Sequence, residues 1–322
     1  MRGWLDEIRG LCAGLLLFVP LVDLLNPWNW LNSQIHKEKR WRETYAQPLA
    51  PNQVGFQWLG TTGFKIQKGD FVVLIDPYLT RVGLWDFLTQ PLRSDTKILE
   101  EKIPKADYIF ISDSHFDHFL DTPAIALRTG AKVVGSPNTA KLLRLFHIPE
   151  SQIIETQGGE TLQAWPFTVK VAKAVHGEIY WTKPFYGDVN LSIKPPLRVG
   201  DYVNLENRCY HFTVDGLRFF ATSGSDLDEK LLQDFQCDIL MVNVTALREG
   251  YIRKILRLTQ PKVAFPTHYD NFFSPFSEGV QPWPTVDLKV FCDEVRESRP
   301  ATKVVTFDFF QEYRADTNEQ GT

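Results

Sequence analysis

Cysteine is scarce, four in 322 residues. Cys12, Cys209, Cys237 and Cys292 stand far apart in the chain. That spacing indicates neither a disulfide framework nor a Cys-x-x-Cys zinc site, and isolated thiols lean towards a reducing compartment. A basic surplus is missing too. Thirty-five Lys and Arg against 39 Asp and Glu leave a net charge of −4, whereas a protein that neutralises many phosphates carries the opposite balance, so nucleic acid is not the expected partner. Between Pro48 and Tyr313 there is no low-complexity stretch, internal repeat or linker. What is present is core material: 43% apolar and 13% aromatic residues with 23% charged. This composition excludes a disordered or collagenous chain. Histidine is also rare, seven in all, so the positions of the histidines carry information.

A long uninterrupted apolar run is lacking as well. Residues 10 to 25 are apolar but contain Pro20 and Asp23, and a spanning helix needs roughly 20 such residues. The segment is a poor signal peptide, because Asp6 and Glu7 offset Arg2 and Arg9 and no small-x-small cleavage site follows. Trp28 and Trp30 come next, then Lys37, Lys39, Arg40 and Arg42, which is the order of an interfacial belt and a positive flank. Two readings stay open: a helical anchor contacting a membrane through residues 10 to 30, with the rest of the chain on the cytoplasmic face, or a helical hairpin packed on the main domain. The expected division is an apolar anchor and basic flank at 1–47, one layered α/β domain at 48–315, and a disordered tail at 316–322.

Strand-like runs recur at 55–59, 71–75, 108–112, 132–134, 168–174, 210–214, 217–222, 239–243, 263–265 and 303–307. Helical patterns fall at 122–129, 138–145, 228–235, 251–258 and 286–297. Asp215-Gly216 between two strands signals a hairpin. Early hairpins followed by strands alternating with helices suggest two sheets with helices outside.

The strand Tyr-Ile-Phe-Ile-Ser runs directly into Asp113-Ser-His115-Phe-Asp117-His118. Such a turn can aim Asp113 and His115 at one metal while Asp117 and His118 face a second position beside it. Imidazole and carboxylate suit zinc, iron and manganese, and the absence of thiolates points to an open catalytic site. Further candidates follow later strands: His176 after 168–174, Asp226 after 217–222, and His268 after 263–265. Each alone reads as an ordinary polar residue. Together they put four of the seven histidines at the carboxyl ends of strands, where sites in α/β folds gather. His36, His147 and His211 read as structural.

These segments resemble the metallo-β-lactamase-fold hydrolases, in the branch of ascorbate-lactone hydrolases and N-acylphosphatidylethanolamine phospholipase D. The match runs through 56–79, 106–121, Ala174-Val-His-Gly177 and Pro266-Thr-His-Tyr-Asp-Asn-Phe272. The resemblance implies an αββα sandwich over about residues 54–310, with a site for one or two divalent metals at one edge. Zinc is the first expectation, with iron or manganese as alternatives. It further implies hydrolysis by a metal-activated water with Asp117 as its orienting base, acting on an ester, lactone, amide or phosphodiester. Two departures stand out. The family pattern His-x-His-x-Asp-His begins here with Asp113, a harder and charged donor. The usual Gly-Asp pair is Ser223-Gly224-Ser225-Asp226 here, so either Asp226 is the bridging carboxylate displaced by one residue or Ser225 takes its place. The competing reading is a degenerate member that binds metal or ligand without turnover.

The segment 177–202 follows His176 and is rich in Tyr, Trp, Phe, Pro and Gly. It is either a loop over the site supplying an apolar wall for a lipid-like substrate or a hairpin packed on the sandwich. Phe272, Phe273, Pro275 and Phe276 are candidates for the same wall.

Overall fold

The computed structural model describes Tyr45 and residues 47–317, apart from 177–184, 225, 228–233, 246–247 and 284–285. The expected N-terminal anchor lies outside the described residues, as does most of the helix expected at 228–235. No helix among the described residues is long and apolar enough to cross a membrane.

The chain opens with three strands, β1 (Gln53–Gly60), β2 (Gly63–Lys68) and β3 (Phe71–Ile75), paired antiparallel as successive hairpins. Then β4 (Tyr108–Phe110), β5 (Lys132–Gly135) and β6 (Ile153–Glu155) add in parallel. Helices α1 (Leu84–Thr89), α2 (Thr96–Lys102), α3 (Phe116–Phe119), α4 (Thr122–Thr129) and α5 (Pro137–Leu145) fill the connections. The second sheet repeats the plan. Strands β7 (Thr161–Ala164), β8 (Phe167–Val175), β9 (Asn207–Val214) and β10 (Leu217–Thr222) are antiparallel. The two-residue β11 (Asp226–Leu227) pairs at the edge of β8. Strands β12 (Ile239–Asn243), β13 (Val263–Thr267) and β14 (Lys303–Val304) follow in parallel, with α6 (Tyr251–Thr259) and α7 (Leu288–Ser298) between them. Finally β15 (Glu312–Asp316) returns to the first sheet and pairs with β1.

Period-2 alternation sends the central strands of the first sheet into two cores. Val54, Phe56, Trp58, Val73, Ile75, Phe110 and Val134 enter the core shared with the second sheet, while Val72, Leu74, Ile109, Ile111 and Val133 pack outward on α2, α4 and α5. Aromatic rings bridge the sheets: Phe56 meets Phe219 at 5.0 Å between centroids, and Phe110 meets both Tyr210 and Phe212 at 5.0 Å. Edge-to-face packing of this kind adds about 0.5–1.5 kcal/mol per pair beyond area burial. The result is the expected α/β sandwich of two mixed sheets.

Local signals explain most of the matches. Asp215 and Gly216 both take positive φ, 44° and 77°, as a type I′ hairpin requires. Helix α4 stops where Gly130 adopts the left-handed conformation, φ 75°. Ser136 caps α5 with Pro137 in the first turn. The Asp95 side chain accepts from the amides of Lys97 and Ile98 at the start of α2, so Asp95→Ala is expected to cost about 1 kcal/mol, read as a shift in denaturation midpoint. The missed strands are short and partly polar, as in Ile-Ile-Glu of β6 and Glu-Tyr-Arg-Ala-Asp of β15. One boundary moves: Asp316 pairs with Gln53, and the Thr317 amide donates to Asn52 O at 2.7 Å. The first two residues of the expected tail therefore belong to the sheet edge.

Candidate metal centre

The chain beyond three strands, β4, β8 and β13, meets at one edge of the sandwich. Beyond β4 the chain turns at Ser112, whose carbonyl accepts from the Arg208 amide of β9 at 2.8 Å, and enters Asp113–His118. The Asp113 side chain then accepts from the His115 amide at 2.9 Å, an Asx turn that folds the segment back. Asp117 and His118 lie in the single turn of α3. His176 follows β8, and His268 follows β13 with φ 62°.

The turn divides its side chains between two clusters. Asp113, His115 and His176 present donor atoms within 4.8 Å of one another, and Asp117, His118 and His268 do the same. In the first cluster His115 Nδ1 lies 2.8 Å from Asp113 Oδ1, and His176 Nε2 lies 3.2 Å from Asp113 Oδ2. In the second, Asp117 Oδ2 lies 3.1 Å from His268 Nε2 and 3.7 Å from His118 Nε2. Five of these six side chains belong to buried residues, and His176 is intermediate. Asp226 lies on β11 opposite Val175, the residue before His176, and its side chain is outside the described set.

Surrounding groups hold the imidazoles. His118 Nδ1 is 2.9 Å from Asp76 Oδ2 and 2.9 Å from Thr62 Oγ1. Asp76, just past β3 at φ 40°, is fixed in turn by the Ser112 amide at 2.7 Å and by the Ser112 hydroxyl. A carboxylate behind one imidazole nitrogen leaves the other aimed forward as a donor, the arrangement that metal-binding histidines use. Burial works against protonation of His118, but Asp117 and Asp76 outweigh it and push its pKa up to about 10. Burial likewise opposes ionisation of Asp117, yet His118 and the bond from His268 bring it down to about 2. The carboxylates and imidazoles stabilise each other's charges, and a divalent cation would take the place of those protons. Two carboxylate–imidazole sets with convergent donors fit divalent metal ions in number and chemistry.

Sequence reasoning passed over several supporting residues. Asp76 sits in the Ile-Asp-Pro-Tyr-Leu segment that carried the resemblance, and an acid at the end of an apolar strand was its signal. Asn207, which donates from Nδ2 to Asp113 Oδ2 at 3.2 Å, opens β9 with no local mark. Asp270 and Arg81 form a fully buried pair, Nη1 to Oδ2 2.7 Å, behind the His268 loop. Of the expected wall residues, Phe272 lies 5.6 Å from the His268 ring and stacks on Trp283 at 4.8 Å, and Phe273 packs on Phe87 at 5.1 Å. Phe276 instead covers the Arg81 guanidinium at 4.7 Å. In the segment after His176, Phe185 lies 6.4 Å from the His115 ring, while Val189, Leu197 and Tyr202 pack into the outer core of the first sheet. The histidine read as structural within a strand, His211, lies in β9 with Nε2 2.8 Å from Gln236 O.

Comparison with known proteins agrees with this geometry. The sequence profile of the β-lactamase superfamily domain matches residues 72–269. A UPF0173 metal-dependent hydrolase from Carboxydothermus hydrogenoformans is 29% identical over 260 residues, spanning 77% of this chain and 95% of the relative. Another from Anaeromyxobacter is 35% identical over 136 residues, 41% of this chain and 46% of the relative. The metallo hydrolase Igni18 from Ignicoccus hospitalis shares the fold at a TM-score of 0.55 and 18% identity, over 82% of this chain and 99% of that one. With the profile match covering more than half of its length, the chain belongs to the β-lactamase superfamily, among the metal-dependent hydrolases of the metallo-β-lactamase fold.

Proposed function

We propose that the chain hydrolyses an ester, lactone, amide or phosphodiester bond in a lipid-like substrate at this edge of the sandwich. The observation that supports it most is the pair of three-residue clusters set side by side at strand ends. Asp113, His115 and His176 would hold one divalent ion, and Asp117, His118 and His268 a second, with zinc, iron and manganese all compatible. Asp226 is the candidate bridging carboxylate by its backbone position beside β8. An ion held by these residues would supply an acidified water and polarisation of the bond under attack. Asp117, whose Oδ2 is turned to His118 and His268, would orient that water and accept its proton. The Asp76–His118 contact keeps the imidazole from rotating out of place. Asp76→Ala is therefore expected to weaken metal retention roughly 10–100-fold, measured by titrating the stripped protein.

The lipid-like reading rests on partly exposed Phe272 beside His268 and Phe185 beside His115. The apolar run at residues 10–25 and its basic flank support a membrane-associated enzyme on the cytoplasmic side. The test is a screen of the metal-loaded protein against lactone, thioester, acyl-amide and phosphodiester probes, each with short and long acyl chains. Turnover that rises with chain length supports the reading. Turnover indifferent to chain length removes the lipid-like substrate, and metal binding without turnover of any probe favours a binding protein.

A further inference from the structure

Asp113 occupies the position where the family pattern has its first histidine, and its surroundings are built for a carboxylate. The side chain is 2% exposed. Its Oδ1 accepts from the His115 backbone amide at 2.9 Å, and its Oδ2 accepts from Asn207 Nδ2 at 3.2 Å. Asn207 is itself fixed. Its Nδ2 also donates to Ser223 Oγ at 2.8 Å, and its Oδ1 accepts from Asn204 Nδ2 at 2.6 Å. Asn204, Asn207 and Ser223 are each 1% exposed. Turning the Asn207 amide over would set its oxygen against a carboxylate oxygen, so the charge of Asp113 pins the donor towards it. An imidazole at position 113 that gave one nitrogen to a metal would carry an N–H on the other, and there it would meet the Asn207 donor. A buried polar group left so costs about 1–3 kcal/mol. Asp113 is thus no worn remnant of a histidine.

With Asp113 in place the two clusters become chemically equivalent, each with one carboxylate and two imidazoles. Zinc binds nitrogen-rich sites more tightly than manganese(II) or iron(II), and each imidazole exchanged for a hard oxygen narrows that advantage. Two imidazoles and a carboxylate with open positions is the donor set that suits six-coordinate iron(II) and manganese(II). We propose that Asp113, held by Asn207 as its positioning residue, adapts the centre to a matched pair of manganese(II) or iron(II) ions in place of a zinc pair. This rests on the reading of both clusters as metal sites.

The experiment strips the full-length protein with chelator and titrates it with manganese(II), zinc(II) and, without oxygen, iron(II), competing each against a chromophoric chelator. Two manganese ions per chain with a spin-coupled paramagnetic resonance spectrum are expected. In Asp113→His the zinc-over-manganese affinity ratio of that cluster should rise about tenfold or more. Zinc affinity should rise further in the double variant Asp113→His/Asn207→Asp, which restores an acceptor behind the new imidazole. Asn207→Ala should lower manganese affinity of the same cluster roughly 10–100-fold and leave the His118 cluster unchanged, which also reports that the variant is folded. A zinc-over-manganese ratio that stays within twofold in Asp113→His overturns the selectivity, and a double variant no better than the single overturns the role of Asn207. A wild-type chain that takes up no metal would sink the functional reading itself, an outcome distinct from bound metal with unaltered preference.

Discussion

His118→Ala is expected to leave one retained metal ion per chain and to cut hydrolysis about 10³-fold or more. His118 is the residue on which the second cluster depends most. Its Nε2 faces Asp117 and the His268 cluster, while its Nδ1 is held 2.9 Å from Asp76 and 2.9 Å from Thr62. Removing the ring leaves two donors, Asp117 and His268, which is too few for tight binding at that position. It also leaves Asp76, a buried carboxylate, without its imidazole partner. His268→Ala should have the same effect on metal and turnover, since His268 Nε2 lies 3.1 Å from the same carboxylate. Elemental analysis beside turnover on any probe found active settles the matter. If both variants keep full metal and full activity, the assignment of the second cluster is wrong.

Breaking the buried pair behind the centre should have the largest effect on stability. Asp270 accepts from the Thr61 amide at 2.9 Å and pairs with Arg81 at 2.7 Å, and their side chains are 0% and 2% exposed. The guanidinium is sandwiched between Phe276 and Phe309, each 4.7 Å away. A Cβ at Gly60 would come within 1.7 Å of Arg81 Nη2, so this glycine is what leaves room for the arginine. Asp270→Ala strands a cation in an aromatic box, which costs about 3–5 kcal/mol, or on the order of 10 °C in melting temperature. The His268 amide donates to Thr61 O at 2.8 Å, so the loss of Asp270 also loosens the turn that carries His268. Replacing both members, as in Arg81→Met/Asp270→Leu, should recover much of the stability, because paired apolar residues replace a buried ion pair at little cost. Denaturant midpoints of the three proteins check this. A loss under 1 kcal/mol in Asp270→Ala would mean that water reaches the arginine.

Much of this was legible in the residues because it depends on neighbours in sequence. The Asp-x-His-x-Asp-His turn divides its donors within six residues: Asp113 and His115 precede the helical turn that carries Asp117 and His118, and the two pairs face different clusters. Strand runs such as 71–75 and 239–242 were readable because both faces are buried and the residues are continuously apolar. Helix α4 carried its own stop in Gly130.

The rest depended on partners that no local pattern identifies. Strand β15 has half-buried, mixed residues and exists because Gln53–Gln57 offers it a free edge more than 250 residues away along the chain. Asn207 looks like any polar residue at the start of a strand until the β8–β9 register sets it opposite Ala174 and under Asp113. Arg81 and Asp270 meet only because the loops after β3 and β13 leave the two sheets at the same edge. The sequence by itself determined the donor types, their order and their strand-end positions, since covalent spacing and local turn and strand signals act over a few residues. The tertiary structure decided which donors share a cluster across the sheets and which buried amides and carboxylates orient them, because those contacts exist only once both sheets have packed.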